Sequence, residues 1–274
     1  MASYPIEGLA PGRGAETFFL NSQGRIQVVA RVYVAADHLL LECDAERRRT
    51  LLDYLDGYII MDDVVVEDET DQTAAFLVEG PRSPDIATAL AGAYPTEPHA
   101  HVEGDGTRLF RSTPSGGEGF WVCCPRDRAS SMAARLTELG VEPATPDDFD
   151  AWRVARRKPL FDVDYFDRNI PQETARMSLV SFTKGCYVGQ EIVERVRAQG
   201  QVRRLLRPLE LDSNEIPAAR EVLFRGAPVG ELTSPTAIPD KGRVLGFALL
   251  KRAAAEPGTE IVVDGARGRV LGWE

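Results

Sequence analysis

TKGCYVGQE, residues 183–191, places a single cysteine between two glycines, directly before a charged, helix-like run. Apolar residues recur with helical spacing after this stretch, so we expect a helix over 190–198 that ends at Gly200. Cys186 is then in a loop before a helix N-terminus, where backbone N–H groups and the nearby Lys184 favour the thiolate form. The alternative is a small buried apolar residue, which is the usual environment of a free cysteine.

The rest of the chain offers few partners for catalysis by this thiol. The four cysteines, at 43, 123, 124 and 186, indicate neither a disulfide framework nor the ligand spacing of a stable iron–sulfur cluster. A cysteine hydrolase also needs a base, and none of the three histidines has a recognisable catalytic context. His99 and His101 could put two imidazoles on one strand face, but no further metal ligand is clearly placed, so no metal site is predicted.

Composition limits the class of protein. A chain of 274 residues with 43% hydrophobic residues predicts about two globular domains. No run approaches the roughly 18 apolar residues of a membrane span, and the N-terminus lacks a signal-peptide pattern, so we expect a cytoplasmic protein. The net charge of −10 argues against general nucleic-acid binding. Arginines nevertheless cluster at 153–158 and 195–207, where they form either solvated faces or a local groove for a small anion.

Periodicity predicts an α+β protein with antiparallel sheets. Strand–strand–helix units recur in the first part, and Ser83 is expected to cap a helix that has Pro84 at its first position. From residue 201 onward, short strands separated by the turn signals RGAP and DGARG predict a small β-barrel. The predicted segments are 1–160, 161–200 and 201–274. The predicted strands of the first part cover 25–34, HLLLEC, YIIMDDVVVED, TAAFLVEG, TRLFRST and EGFWVCCP.

KGCYVGQE resembles the signature of the YgfZ family, tetrahydrofolate-binding proteins that are related to the glycine cleavage T-protein, the GcvT aminomethyltransferase. Other stretches from about residue 10 to the end resemble segments of these proteins. They are FFLNSQGRIQ at 18–27, VEGPRSPDIATAL at 78–90, SGGEGFWVCCP at 115–125, AWRVARRKPLFDVD at 151–164, NIPQET at 169–174 and GELTSPT at 230–236. The resemblance implies a cloverleaf fold around a folate channel, with tetrahydrofolate or a one-carbon derivative as ligand.

The resemblance also implies roles for individual residues. Glu118 would grip the pterin, because a carboxylate can accept two parallel hydrogen bonds from its amino and ring N–H groups. Arg153 would meet the anionic tail or hold Glu118, and either Asp62 or Asp63 would be the catalytic carboxylate. The motif contributes Cys186 as the functional thiol. Its remaining candidate folate contacts are Lys184, Tyr187, Gln190 and Glu191, with core packing as the alternative for Tyr187.

One departure from the family pattern concerns the N-terminus. Relatives carry a segment of several dozen residues before the FLN…GRI hairpin, whereas only 17 residues precede Phe18. We expect either a displaced start, a truncated chain or a shortened member. A shortened member could have lost folate binding and act as an interaction module without catalysis.

Two further functions follow from the resemblance. The first is an accessory protein for iron–sulfur cluster assembly or repair, with folate as ligand, Cys186 as the thiol, and iron–sulfur enzymes or cluster-assembly proteins as partners. The second is an aminomethyltransferase that passes a one-carbon unit from a lipoyl carrier to tetrahydrofolate. The cysteine motif and the short chain favour the first, which is our main prediction, and the Asp62–Asp63 pair supports the second as the alternative.

Overall fold

The computed structural model describes residues 1–61, 63–200, 202–238 and 241–273. The chain divides into two compact units. Unit 1 comprises Met1–Phe19 with Gln27–Pro143, and unit 2 comprises Leu20–Ile26 with Ala144–Glu274. Among the described residues, every helix is too short or too polar to cross a membrane.

The first sheet has the strand order β1-β2-β3. Alternate residues of β2 are fully buried, as the period-two pattern of 25–34 predicts. The buried side chains of β1 and β2 pack with Leu51 of helix α1, which stops at Gly57. The elements are β1 Gly14–Leu20, β2 Ile26–Val34, β3 Leu39–Cys43 and α1 Arg48–Asp56.

The second sheet of unit 1 has the order β4-β7-β6-β5, and its strands pair antiparallel. Two helices cover it around a core that includes Val78, Leu109 and Phe120. Ser83 is not the cap of α2, because Arg82 occupies that position and the Ser83 hydroxyl donates to the Glu118 carbonyl instead. The elements are β4 Thr73–Glu79, α2 Ser83–Ala91, β5 His101–Gly104, β6 Thr107–Phe110, β7 Gly119–Pro125 and α3 Ala129–Glu138.

The predicted strand YIIMDDVVVED is wrong over the part of it that the structure describes. Its residues form turns and irregular backbone with no strand pairing. Ile60, Met61 and Val65 have 82%, 95% and 80% of their surface exposed. Apolar composition indicates a strand only where a neighbouring strand can satisfy the backbone and cover the side chains, and the described residues supply neither here.

Unit 2 begins with helix α4, whose Thr145 and Asp148 form a reciprocal capping box. Helix α5 follows the cysteine motif and ends at the left-handed Gly200, as predicted. The remaining strands close into a barrel in the order β10-β11-β8-β13-β12-β9, which confirms the predicted C-terminal barrel. The elements are α4 Pro146–Ala155, α5 Gln190–Gln199, β8 Arg204–Leu211, β9 Glu221–Phe224, β10 Ala227–Ile238, β11 Arg243–Lys251, β12 Glu260–Val263 and β13 Ala266–Val270.

The α+β class with antiparallel sheets is therefore confirmed. The three-segment division at residues 160 and 200 stays a prediction. The boundary between the compact units lies before residue 144 instead, and unit 2 also includes the short hairpin segment at 20–26.

Candidate functional site

The cysteine motif packs against the β1–β2 turn, which is distant in sequence but belongs to the same unit. Gly189 has φ +80°, and a Cβ there would lie 2.5 Å from the Asn21 carbonyl oxygen and 2.9 Å from Gly24 Cα. The turn is itself fixed, because the Asn21 side chain accepts from the backbone N–H groups of Gln23 and Arg25. Gly189 thus allows two backbone segments to touch, and the close approach is to protein rather than to a ligand.

The start of helix α5 is held by reciprocal hydrogen bonds. Gln190 Oε1 accepts from the Tyr187 backbone N–H, and the Gln190 N–H donates to the Tyr187 carbonyl. Glu191 is exposed in the first helical turn, where a carboxylate interacts favourably with the positive end of the helix dipole. Both side chains therefore have a structural use at the helix start, and their contact with folate stays a prediction.

Cys186 is the exposed cysteine of the chain; the other three are partly or fully buried. Burial raises the pKa of the Cys43 thiol to about 11 and that of Cys123 to about 12. Gly185 has no atom within 4 Å of an ideal Cβ, so the loop beside the thiol is open. The alternative of a buried apolar cysteine is thereby removed for Cys186.

The two neighbours of Cys186 in the motif differ in exposure. The Lys184 ammonium lies 6.0 Å from the centroid of the Tyr187 ring, at the outer limit of a cation–π contact. Tyr187 is only 7% exposed, and its hydroxyl is buried without a hydrogen-bond partner among the described residues. Burial raises the pKa of Tyr187 to about 12, with the charge of Glu194 adding to the effect. The ring is packed, while the hydroxyl keeps a donor that a ligand could use.

Glu118 lies in unit 1, immediately before β7. Its carbonyl accepts from the Gly80 N–H, which fixes the backbone. Its Oε1 accepts hydrogen bonds from the Tyr94 hydroxyl at 2.8 Å and from Arg111 Nη2 at 3.3 Å. The side chain is 46% exposed, so the carboxylate faces solvent while two donors orient it.

Sequence reasoning missed Tyr94 and Arg111. The Arg111 guanidinium also lies 5.2 Å from the centre of the Tyr94 ring, so the two side chains and the carboxylate form one cluster. Partial burial and the bond to Glu118 raise the pKa of Tyr94 to about 12. Tyr94 follows α2 and Arg111 follows β6, and no sequence spacing links them. The available signal was only that Arg111 starts the loop that leads to Glu118.

Arg153 is not a solvated helix residue, because only 1% of its surface is exposed. Its Nη1 donates to Asp164 Oδ2 at 2.8 Å, and Asp164 is equally buried. Asp164 Oδ1 also accepts from the hydroxyls of Thr233 and Ser234, both at 2.6 Å. Further Arg153 donors reach Asp150 and Ser234. The 151–164 and 230–236 stretches therefore meet at a buried ion pair, and a contact of Arg153 with ligand or with Glu118 stays a prediction.

The aspartate pair is only half described. Asp62 lies outside the described residues, and Asp63 is exposed in the irregular segment that was expected to be a strand. The rule that neighbouring strand residues face opposite ways therefore does not decide between them here. The catalytic role of either carboxylate stays a prediction.

The histidine pair lies outside any candidate metal site among the residues that the structure describes. His101 is 7% exposed, with its ring 5.8 Å from the centroids of both Tyr33 and Phe110. Desolvation lowers the pKa of this imidazole, which favours its neutral form. Among the described residues, no group of three or more His, Cys, Asp or Glu side chains could hold a metal ion.

The candidate residues thus form two sets. Unit 1 holds the oriented, partly exposed Glu118, and unit 2 holds the exposed Cys186 with the buried Tyr187 beside it. The stretches that resemble the family contact one another within each unit. In unit 2, residues 20–26 contact the cysteine motif, and in unit 1, 78–90 contacts 115–125. Glu79 and Ser115 add a short hydrogen bond to the second contact.

No family model matches the chain. A chloroplastic, transferase-like protein of Arabidopsis thaliana is 26% identical over 94% of the chain, which spans 61% of that protein. Aminomethyltransferases of Rippkaea orientalis and Streptomyces avermitilis are 28% and 27% identical over 94% and 96% of the chain, and the chain spans about three quarters of each.

Among solved structures, the glycine cleavage system aminomethyltransferase T of Bartonella henselae matches with a TM-score of 0.87. The match covers 99% of this chain and 78% of that one, at 19% sequence identity. The chain therefore has the fold of the aminomethyltransferase T-protein, and the implied fold is confirmed. Its similar sequences are aminomethyltransferases and a transferase-like protein, and the narrower YgfZ assignment stays a prediction.

Proposed function

We propose that this chain is a folate-dependent one-carbon transferase of the aminomethyltransferase type. The observation that supports it is sequence similarity of 26–28% to such enzymes over 86–96% of the chain, rather than over one motif. This favours the second of the two functions that the sequence suggested. The chain spans only 61–75% of these relatives, so the activity of the whole protein belongs to the proposal.

The proposed reaction transfers a methylene group. In an aminomethyl thioether, the carbon loses its bonds to sulfur and to the amino nitrogen, and gains bonds to two folate nitrogens. The two folate N–H protons go to the leaving groups, which depart as a thiol and ammonia. No oxidant or reductant is needed. The protein therefore has to bind the thioether and the folate, orient them and transfer protons between them.

Glu118 has the chemistry of a folate-ring anchor. Both of its hydrogen bonds fall on Oε1, so Oε2 can still accept from a ligand donor. A contact in which both carboxylate oxygens accept a hydrogen bond from the pterin requires that Oε1 accept one as well. The bond from Arg111 is the longer of the two and is the one we expect to yield. Tyr94 would then keep the carboxylate oriented.

Unit 2 supplies the other groups that fit a ligand. The buried Tyr187 hydroxyl is a donor without a partner among the described residues, and a buried donor of this kind is costly unless a ligand or water satisfies it. Cys186 and Lys184 stand beside it in sequence. We assign Arg153 a positioning role in this unit, since its donors already bind Asp150, Asp164 and Ser234.

The first test is calorimetric titration of 5-formyl-tetrahydrofolate into the wild type and Glu118→Gln. We expect micromolar binding and a loss of about tenfold or more in the variant, because a charge-assisted hydrogen bond contributes about 1.5–3 kcal/mol. Glu138→Gln is the matched control, since Glu138 is also an exposed, arginine-paired glutamate. Equal affinity in all three proteins would show that Glu118 does not contact the folate. No binding by any of them would overturn the folate proposal.

The second test separates a transferase from a binding protein. Methylene-tetrahydrofolate formation would be followed with an aminomethylated lipoyl carrier and tetrahydrofolate. Product that depends on the carrier and falls in Glu118→Gln supports the transferase. Folate binding without any product would leave a folate-binding protein and reject this reaction.

A second candidate function, support of iron–sulfur enzymes, is favoured by one observation. Cys186 is exposed in an open loop, whereas the other cysteines are partly or fully buried. An exposed thiol can meet a cluster or partner transiently without a resident cluster site. Cells lacking the protein would be complemented with Cys186→Ala or with Cys43→Ala as the matched control. Full rescue of cluster-enzyme activity by Cys186→Ala would reject this function.

A further inference from the structure

A groove of about 680 Å³ opens in unit 2 between the end of helix α5 and the end of strand β11. It is lined by Gly200, Val202, Arg203, Lys251, Arg252 and Ala253, and this set is called the basic groove below. Its volume lies within the range of small-molecule sites. Among the lining residues that the structure describes, three of six are cationic and none is acidic, in a chain whose net charge is −10.

The cations at the groove lie at one end of the paired strands β8 and β11. Lys251 of β11 is the register partner of Arg204 of β8, and the Arg252 N–H donates to the Arg203 carbonyl. Cross-strand partners have Cβ atoms about 5 Å apart, and like charges in that position destabilise a sheet. Four exposed cations thus lie at one end of the β8–β11 ladder, where charges of opposite sign would stabilise the sheet better. They are Arg203, Arg204, Lys251 and Arg252.

These cations are not neutralised by the described part of the protein. None of the four forms an ion pair with a described carboxylate, and the bonds they make go to neutral carbonyls. Lys251 Nζ donates to the Pro228 carbonyl at 2.9 Å, and Arg252 Nη1 donates to the Gly200 carbonyl at 2.6 Å. These bonds orient both side chains and leave their remaining N–H donors unspent. Lys251 and Arg252 therefore present positive charge in the groove that is held in position.

We infer that the basic groove binds a compact polyanion with phosphoryl groups, of the size of a pyrophosphate or a nucleoside diphosphate. Arginine forks match phosphate oxygens in bidentate geometry, and lysine adds a point charge. Cations that are neighbours at one end of a strand ladder favour a ligand that concentrates negative charge over a short length. An extended polynucleotide would instead meet the acidic remainder of the chain. This site is independent of the proposed folate chemistry.

The test is calorimetric titration of the full chain with inorganic pyrophosphate, and separately with hexaglutamate, at 50 and 200 mM salt. We expect pyrophosphate binding that weakens at the higher salt, because ions screen the charges. Arg203→Gln/Lys251→Gln should weaken it by about tenfold or more for each charge-assisted bond lost. Arg252 is left unchanged, because it also holds the end of α5.

The matched control is Arg225→Gln/Arg267→Gln, which removes two exposed charges from other parts of the barrel. It should retain pyrophosphate affinity within about twofold, since these residues do not line the groove. The thermal midpoint of the groove variant should be equal to or above that of the wild type, because the Arg204–Lys251 repulsion is removed. A retained midpoint with lost binding supports the site.

Three results would overturn the inference. One is no pyrophosphate binding at 50 mM salt. Another is an equal loss in the control, which would show a general charge effect. The third is stronger binding of hexaglutamate than of pyrophosphate, which would identify an acidic polypeptide as the partner of this surface. Loss of folate binding in the groove variant would be a separate result, since Glu118 lies in unit 1.

Discussion

Gly189 allows the cysteine motif and the β1–β2 turn to touch, and Gly189→Ala measures how strongly that contact matters. The new Cβ would lie 2.5 Å from a backbone oxygen and 2.9 Å from a backbone Cα, and backbone cannot rotate away as a side chain can. The residue also has φ +80°, a region that costs a non-glycine residue about 1–2 kcal/mol.

The expected magnitude follows from three contributions. Forced displacement of packed groups costs about 1–3 kcal/mol, to which the left-handed conformation adds about 1–2 kcal/mol. The lower entropy of the unfolded alanine chain offsets about 0.4–1 kcal/mol. Taken together, these contributions predict that Gly189→Ala lowers the free energy of unfolding by about 1–5 kcal/mol.

Urea unfolding followed by circular dichroism measures this change. Gly185→Ala is the control within the same motif, because no atom lies within 4 Å of its ideal Cβ and its φ is not positive. The control should be neutral or slightly stabilising. A Gly189→Ala protein within about 0.5 kcal/mol of the wild type would show that the two segments separate easily, and the reasoning would fail.

Three further predictions concern other parts of the chain. Asp164→Ala should lower the free energy of unfolding by about 3–5 kcal/mol, because it leaves the buried Arg153 without its buried partner; a loss below about 1 kcal/mol by urea unfolding would contradict this. Tyr94, whose raised pKa keeps it neutral in the folded state after unfolded tyrosine ionises, should stabilise the fold below about pH 10 and lose that contribution as the pH rises toward 12. Comparison of the ultraviolet titrations of the wild type and Tyr94→Phe should show this pKa, and Glu118→Gln should lower it. An unchanged pKa in Glu118→Gln would show that the Tyr94–Glu118 hydrogen bond is absent. Cys186 should react with a disulfide reagent at pH 8 faster than the other three thiols, and Cys186→Ser should abolish the fast phase; a persistent fast phase would place the reactive thiol elsewhere.

The hairpin turns of the barrel and the ends of α4 and α5 could be predicted from the sequence because their signals are local. RGAP and DGARG mark turns that join β9 to β10 and β12 to β13. Thr145 begins α4, and Gly200 ends α5. Each of these features depends on the φ angles or capping groups of a few consecutive residues, so the sequence contains the whole cause.

The strand predicted over YIIMDDVVVED failed because a strand is not a local object. Its apolar residues have the composition of a strand, but pairing requires a partner that the sequence of this segment cannot supply. In the described residues the segment is irregular, with Met61 and Val65 exposed. The prediction that one of the two aspartates faces a channel depended on that strand, so it could not be tested through it.

The candidate site shows the same division. The sequence by itself indicated Glu118 and Cys186 as candidate site residues, and it determined the helix that follows the cysteine. Only the tertiary structure showed that Tyr94 and Arg111 orient Glu118, because these residues come from separate elements. Tertiary packing also decided that Gly189 serves a backbone contact. Such contacts depend on distances between residues far apart in the chain, and local spacing contains no information about those distances.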